Sequence, residues 1–301
     1  MEQSVSRPDL DPRPRRWLVI LDYLFYLLLL LAIVGLAYYI YYFLSTPLIV
    51  SLSGKLSMII WIPILLQKTG ITIVISLISV VLATIFGFIG ALGRLSRFAP
   101  LRWLAAIYVE VIRGTPILVQ LLCWYFGVAQ ILSAGVHFDP YALIYNLMTA
   151  LQSNSLVANI DPSLFDAFFW GIIGLSFNYG AYLTEVFRAG IESVQKGQSE
   201  AALSLGLNSS QVMRRIVLPQ AIRITMPPFT NNFITLVQDT ALLSTIAVLE
   251  LQQQMSTIAD PLLDANKKLF IYILGALVYL AICYPLALLS RYLEGRMAIA
   301  Y

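Results

Sequence analysis

The chain has 301 residues, of which 59% are hydrophobic and only 12% are charged, and its mean hydropathy is +0.80. Soluble domains carry about 25% charged residues, so this composition excludes an ordinary soluble protein. The long apolar runs predict an all-α integral membrane protein. The net charge of +3 is too small to indicate a nucleic-acid partner.

Six stretches of the sequence are long and apolar enough to cross a bilayer, which takes about 20 residues in a helix. They lie at about residues 18–44, 69–92, 103–132, 165–187, 226–249 and 269–289. The segment 49–67 is also apolar, but Gly54, Lys55 and Pro63 interrupt it, so we expect a re-entrant or interfacial piece. The sequence therefore predicts about six transmembrane helices.

The predicted organisation is one helical membrane domain with short ends. It comprises a cytoplasmic tail at 1–16, an added transmembrane helix and connector at 17–68, the main transmembrane domain at 69–296 with a loop at 196–219, and a C-terminal tail at 297–301. An insertion at about 136–166 contains a predicted short helix around Tyr141–Leu151. This insertion could meet a partner protein, or it could be a tolerated surface insertion.

Basic residues predict the orientation, because cytoplasmic flanks of membrane helices retain Lys and Arg. With the N-terminus inside, 15 of the 19 basic residues lie on the inner side. The four on the outer side are Lys55, Lys68, Lys267 and Lys268. We therefore expect both termini in the cytoplasm, together with the loop at 196–219.

That loop contains the most informative letter pattern of the chain, EAALSLGLNSSQVMRRIVLP from Glu200 to Pro219. We expect Gly197 to end the preceding helix and Ser199 to cap a short helix with Glu200 in its first turn. The small residues that follow would let a partner surface approach closely. The predicted contact residues are Gln198, Glu200, Ala201, Ala202, Leu205 and Gly206.

The second half of the loop predicts a turn and another short helix. Gly206 suits a left-handed C-cap. Either Asn208 or Ser209 can then cap a helix that Pro219 ends. The result is a compact helix-turn-helix lying across the membrane face. From these residues alone, an ordinary amphipathic connector is an equally good interpretation.

Polar residues inside the predicted spans are costly in lipid and are usually functional. The fifth span carries four of them, and the fourth carries one, so they are candidates for a substrate path. These candidates are Asn178, Asn231, Asn232, Gln238 and Asp239. The alternative is that Asp239 makes an interhelical hydrogen bond that holds the bundle together.

A short echo in the sequence, EVIRG and EVFRAG, places two Glu–Arg pairs near the inner side of the bilayer. The spacing of three puts Glu110 with Arg113, and Glu185 with Arg188, on one helix face each. A bundle could also pair Glu110 with Arg188 and Glu185 with Arg113. We expect a cross-helix contact that changes as an inner gate opens. A static ion pair near the lipid headgroups is the alternative.

Several other classes of site find little support. The chain contains no GxxxxGK[ST] run, so we expect no P-loop nucleotide site in it. His137 is the single histidine, and Cys123 and Cys283 lie in apolar runs, where we expect both to be small buried hydrophobic residues. We therefore predict no catalytic residues and no metal site in this chain.

Four runs of the chain together resemble the permeases of polar amino-acid ABC importers. They are YVEVIRGTPILVQL from Tyr108, YGAYLTEVFRAGIESVQKGQSEAALSLGL from Tyr179, LPQAIRITMPPFTNNFITLVQDTALLSTIAVLEL from Leu218 and LSRYLEGR from Leu289. The similarity covers about residues 69–296 and points to the histidine/glutamine/glutamate permease family. The added N-terminal helix and the insertion resemble enlarged permeases of general amino-acid systems.

This resemblance implies a type I ABC importer permease fold with a cytoplasmic coupling helix in the loop at 196–219. It implies ATPase subunits that bind ATP and Mg²⁺ on separate chains. It also implies a second permease chain, identical or homologous, and an extracytoplasmic amino-acid-binding protein. The expected location is the bacterial cytoplasmic (inner) membrane, and the expected function is import of polar or general L-amino acids.

Three other functions stay open at this point. The same machine could import another solute, such as an opine or a sulfur-containing amino acid. An intramembrane enzyme would need a Ser–His, Cys–His or paired-Asp arrangement at membrane depth, which one histidine and two isolated cysteines do not favour. A purely structural membrane subunit would not need the polar residues inside the spans.

Overall fold

The computed structural model of the protein describes residues 61–150 and 161–298. The predicted tail at 1–16, the predicted span at 18–44 and most of the connector before residue 68 lie outside the described residues. Nearly all described residues belong to the compact unit Ile64–Tyr301.

All regular structure in the described ranges is helical, which confirms the all-α prediction. The helices are α1 (Trp61–Leu95), α2 (Ala99–Arg113), α3 (Ile117–Val136), α4 (Pro140–Ala150), α5 (Pro162–Glu192), α6 (Lys196–Ser204), α7 (Ser209–Ile246), α8 (Leu251–Ala259) and α9 (Ala265–Ala298). The short helix expected around 141–151 is α4.

The prediction of six spans is not confirmed by the described residues. Three unbroken helices are long and apolar enough to cross a membrane, namely α1, α3 and α9. A fourth span is possible if α7 and α8, which meet at 51°, count as one broken span. Helix α5 is 31 residues long but is not among these candidate spans. Its polar residues Ser176, Asn178 and Thr184 are buried inside the bundle.

The third predicted span, 103–132, is wrong in its bounds. Helix α2 ends at Gly114, whose N–H donates to Glu110 O at 2.9 Å, and α3 begins only after Pro116. A proline disfavours helical conformation in the residue before it, which explains the break at Thr115. Glu110 and Arg113 therefore lie at the end of a separate amphipathic helix and not inside a span.

The loop before α7 differs from its prediction in two capping details and agrees in a third. Helix α5 ends at Ser193, so Gly197 does not end it but lies inside α6. The N-cap of α6 is Gln195 and not Ser199. The left-handed conformation of Gly206, with φ of 85°, is confirmed.

Pro219 does not end the helix that starts at Ser209. Asn208 caps this helix through a capping box with Gln211. Of the two residues predicted as the cap, Asn208 and Ser209, the structure uses Asn208. The chain then makes a wider, π-type turn at Met213–Val217, directly before the proline. A proline lacks an N–H and crowds the preceding turn, and the wider turn accommodates it, so α7 continues into the membrane domain.

Helix α7 extends to Ile246 through a 3-10 turn at Thr240–Ile246 and stops at Ala247, whose φ is 63°. The predicted fifth span at 226–249 therefore begins too late, and its last residues lie in the break before α8. Helix α7 packs against α5 and α9. The main core lies among α1, α3, α5 and α7 and contains, among others, Ile75, Leu121, Leu175, Leu183, Leu236 and Leu243.

Helices α1 and α5 approach each other closely at glycine residues. A Cβ atom at Gly87 would lie 2.6 Å from Leu183 Cβ, and a Cβ at Gly180 would lie 2.7 Å from Phe86 Cβ. Lipid is as apolar as a helix surface, so close van der Waals packing must supply much of the association energy in a bilayer. These glycines therefore set the position of α5.

We expect Gly87→Ala to destabilise the bundle by about 1–3 kcal/mol, because its new methyl group would overlap Leu183. Gly70→Ala on the same helix is the matched control, since nothing lies within 4 Å of a Cβ at that position. Thermal unfolding of the purified variants in detergent would compare them. Equal transition temperatures for the two variants would contradict the close approach.

Candidate functional site

The loop between α5 and α7 is a rigid unit with its own small core. Val194, Ala202, Val212 and Val217 are buried together in this core. Helix α6 ends in a Schellman motif, in which Leu207 N donates to Ala202 O at 3.2 Å. The loop is therefore held by packing of its own residues against the ends of α5 and α7.

The solvent-exposed face of this loop carries an apolar residue at the turn that ends α6. Leu205 is 85% exposed, directly before Gly206. Of the other predicted contact residues, Gln198, Glu200 and Ala201 are exposed and Ala202 is buried in the small core. Gln220 Nε2 donates to Gln198 Oε1 at 2.6 Å and ties α6 to α7. Displacing α6 would therefore pull directly on α7.

The predicted substrate-path residues do not form one surface. Asn231 is exposed, and the Asn232 amide donates to Pro228 O on its own helix at 2.8 Å. Gln238 lines a cavity of about 440 Å³ together with Gln252 and Tyr279. Asn231 and Asn232 therefore line none of the cavities described in this article, and the hydrogen bond of the Asn232 amide stays within its own helix.

Asp239 lies against α5, where the Tyr179 hydroxyl donates to Asp239 Oδ2 at 2.6 Å. Tyr179 is buried, whereas Asp239 is only partly buried. A carboxylate at membrane depth needs such a partner or water. The arrangement fits both a substrate-path role and a structural role for Asp239. One carboxylate oxygen joins α7 to α5, and the Asp239 side chain is still partly accessible.

The side chain of Asn178, next to Tyr179 in the chain, contacts α3 instead of α7. Its amide Nδ2 donates to Gln120 Oε1 at 3.0 Å, and both side chains are buried. The Gln120 amide Nε2 in turn donates to Ile112 O at 2.7 Å and to Thr115 O at 3.0 Å. Gln120 therefore satisfies backbone carbonyls that the break between α2 and α3 leaves free and joins them to α5.

We expect Gln120→Met to destabilise the protein by about 1–3 kcal/mol, because it leaves Asn178 and two carbonyls without partners. Gln130→Met is the control, since Gln130 lies on the same helix and is exposed. Thermal unfolding in detergent would measure both. A transition temperature of Gln120→Met equal to that of the control would contradict this role.

The charged residues at the inner end of α5 include the local pair of Glu185 with Arg188 that the sequence allowed, and a cross-helix pair with an unexpected partner. Glu185 Oε1 lies 3.2 Å from Arg94 Nε on α1, and Glu185 Oε2 lies 2.7 Å from Arg188 Nη2. Arg113 lies over the ring of Tyr182 at 5.3 Å. The ion pairs of the described ranges do not include Glu110.

No ion pair of the described ranges joins Glu110 to Arg188 or Glu185 to Arg113, although Arg113 lies close enough to Glu185 to interact with it electrostatically. The cause is the helix break after Arg113, which makes α2 a separate helix. The sequence analysis did not propose Arg94 as a partner of Glu185. The available signal was its position as the basic residue in the last turn of α1. A gating role for these pairs stays a prediction.

Glu250 is a second residue that the sequence analysis missed. It is fully buried, and Oε1 accepts the N–H of Gln253 at 2.8 Å as the N-cap of α8. Its Oε2 accepts the Tyr279 hydroxyl of α9 at 2.9 Å, and Thr72 of α1 lies 3.5 Å away. The available signal was an acidic residue inside the apolar run AVLEL.

The two cysteines are free, and only Cys283 is buried. The expectation that Cys123 is buried is wrong, because it lies on an exposed face of α3. Among the described residues, no group of three or more His, Cys, Asp or Glu side chains could hold a metal ion.

Comparison with known proteins assigns the family of this chain. Residues 83–299 match the family described as binding-protein-dependent transport system inner membrane component. The chain belongs to this family. The match confirms the predicted type I ABC permease fold and identifies the protein as a transport subunit.

Individual relatives agree with this assignment. The permease is 37% identical to the L-cystine transport system permease protein TcyB of Bacillus subtilis, over 78% of this chain and 87% of TcyB. It is 34% identical to the glutamate/aspartate import permease protein GltK of Escherichia coli O157:H7, over 79% of this chain and 95% of GltK. The resemblance to amino-acid ABC importer permeases is thus confirmed.

Solved structures also resemble the permease. A crystal structure of an amino acid ABC transporter with histidines superposes with a TM-score of 0.61 at 30% identity, and the match covers 79% of this chain and 96% of the other. The MetNI methionine ABC transporter has a TM-score of 0.54 at 16% identity over 79% of this chain and 99% of the other, which shows a shared fold alone. The permease is therefore a multi-pass membrane protein of this fold.

Proposed function

We propose that this permease imports an amino acid that an extracytoplasmic binding protein delivers, and that separate ATPase subunits, which bind ATP and Mg²⁺, drive the transport. Both termini and the loop at 196–219 lie in the cytoplasm in this proposal, as the distribution of basic residues favours. A second permease chain, identical or homologous, completes the pathway in the cytoplasmic membrane.

The observation that carries this proposal is the apolar surface of the turn that ends α6. Leu203 and Leu205, which are 48% and 85% exposed, lie there on a turn with its own small core, where a partner protein can cover both. The Gln198–Gln220 hydrogen bond connects this turn to α7, which carries Asp239 at its far end. ATPase motion at Leu205 would therefore reach the helix that contacts the proposed substrate path.

We expect Leu205→Ser to weaken assembly with the ATPase and to lower ATP-driven uptake about tenfold or more, because it removes the apolar contact. Leu263→Ser is the matched control, since Leu263 is also fully exposed but lies between α8 and α9. Co-purification of the ATPase and uptake into proteoliposomes would measure the two effects. Equal loss in both variants would contradict a specific ATPase contact at Leu205.

Asp239 is the residue that we propose for substrate recognition. Every α-amino acid carries an ammonium group, and a partly buried carboxylate is a strong partner for it. Tyr179 fixes one carboxylate oxygen of Asp239, so the group is held in place before substrate arrives. Gln238 would contribute to the same path from its cavity.

We expect Asp239→Asn to lower uptake about tenfold or more while assembly is preserved, because the amide oxygen still accepts the Tyr179 hydroxyl but carries no charge. Asp260→Asn, at an exposed carboxylate after α8, is the control. Uptake and complex yield are measured on the same preparations. Parallel losses of uptake and assembly would instead favour a purely structural hydrogen bond.

Import of a sulfur-containing amino acid is a second candidate, supported by the similarity to the L-cystine permease TcyB. The opine alternative has no corresponding observation. Purifying the permease with its ATPase and binding protein, and then testing single amino acids for stimulation of ATP hydrolysis, would distinguish these substrates. Stimulation by cystine but not by glutamate or glutamine would favour the second candidate.

A further inference from the structure

A polar cavity of about 510 Å³ lies at the end of α5 that is opposite to the loop at 196–219. Its walls come from α3, the turn after α3, the start of α4 and the first turns of α5. The residues used below are Tyr125, His137, Phe138, Asp139, Asp166 and Trp170. A cavity of this size is large enough for a small organic molecule.

The charge of this cavity is negative. Asp139 and Asp166 both line it, and no Lys or Arg is among the residues of its wall. The sequence from Gly114 to Phe187 contains no Lys or Arg at all. Among the described residues, His137 is therefore the basic side chain of the cavity wall, and no Lys or Arg of the wall neutralises the two carboxylates. A ligand that neutralises them must carry positive charge.

The two carboxylates differ in how well the protein satisfies them. Asp139 Oδ1 accepts the N–H of Ala142 at 3.0 Å and so caps α4. Asp166 Oδ1 is buried and has no hydrogen-bond partner among the described residues. The backbone N–H of Tyr141 also interacts with the Asp166 carboxylate. Because Oδ1 is enclosed by the protein, a ligand in the cavity meets Asp166 through the accessible rest of its carboxylate, whose negative charge the two oxygens share.

Aromatic rings form the apolar part of the wall. Phe138 and Trp170 lie 6.2 Å apart between ring centroids, nearly perpendicular to each other at 74°. Tyr125 completes the wall from α3. The left-handed conformation of His137, with φ of 53°, turns the chain so that Phe138 faces α5. Aromatic faces next to carboxylates are the surroundings that organic ammonium groups prefer.

We propose that this cavity binds a small organic cation through an ammonium group, with Asp166 and Asp139 supplying negative charge and the rings of Phe138 and Trp170 supplying cation–π contact. A bare metal ion fits less well, because the described residues offer no set of three or more suitable ligands. The site is separate from Asp239. Tyr179, which binds Asp239, lies about 20 Å along α5 from Asp166 at a rise of 1.5 Å per residue.

The probe for this site is 1,5-diaminopentane, titrated by calorimetry into the full chain in lipid nanodiscs. We expect saturable binding to the unaltered chain. Asp166→Asn, which keeps the shape but removes the charge, weakens this binding at least about tenfold. Phe138→Leu, which removes one ring from the wall, weakens it about threefold or more.

Asp161→Asn is the matched control. Asp161 lies near Asp166 in sequence, but it is exposed, does not line the cavity, and already accepts hydrogen bonds from Ser163. These hydrogen bonds lower the pKa of Asp161. We expect this variant to bind the diamine as the unaltered chain does, because the site does not use Asp161.

Three results would overturn the proposal. The first is absence of saturable binding, and the second is equal weakening of diamine binding by Asp161→Asn and Asp166→Asn. The third is that magnesium chloride displaces the diamine as effectively as a second organic diamine does at matched ionic strength. The last two would mean a general negative surface rather than a site. If Asp166→Asn does not fold, as judged by thermal unfolding, Phe138→Leu carries the test, and unchanged binding in that variant overturns the proposal.

Discussion

The close packing of α5 against α1 is the constraint on which the other contacts depend. In a bilayer, helices gain little from hiding apolar surface and associate through tight van der Waals contact and hydrogen bonds. Gly87 and Gly180 allow this contact because side chains there would overlap Leu183 and Phe86. Once α5 is held in place, its successive residues can face different neighbours.

Asn178 and Tyr179 illustrate this use of a fixed central helix. Asn178 bonds to Gln120 at the break between α2 and α3, while Tyr179 bonds to Asp239 on α7. Further along the same helix, Glu185 pairs with Arg94 of α1. One buried helix thus carries a structural junction, a contact to the proposed substrate path and an ion pair at its loop end. Polar groups inside a membrane protein are affordable only with such partners.

The sequence predicted the features that depend on composition and on local chemistry. Apolar length located α1, α5 and α9, and glycine and asparagine chemistry located the left-handed turn at Gly206 and the cap at Asn208. These features follow from single residues or short windows, so no knowledge of tertiary contacts was needed. The family resemblance rested on longer runs and is confirmed by the comparisons.

The misses arose where a tertiary contact overrides local signals. Pro219 looks like a helix end, but a wider turn before it lets the helix continue. The RGTP run looks continuous with an apolar stretch, but Gln120 supplies the hydrogen bonds that make a break stable. Arg94 and Glu250 find their partners on distant helices, and a single sequence gives no direct sign of such pairings.

The buried Glu250 has a consequence for the order in which the protein is made. Its carboxylate contacts Thr72 on α1 and Tyr279 on α9, and it caps α8. Helix α9 leaves the ribosome last of these elements, so this carboxylate has no Tyr279 partner while α8 enters the membrane region. Until then, water or the insertion machinery must solvate the carboxyl group. The Glu250 carboxyl group therefore gains its Tyr279 partner only after α9 has been synthesised.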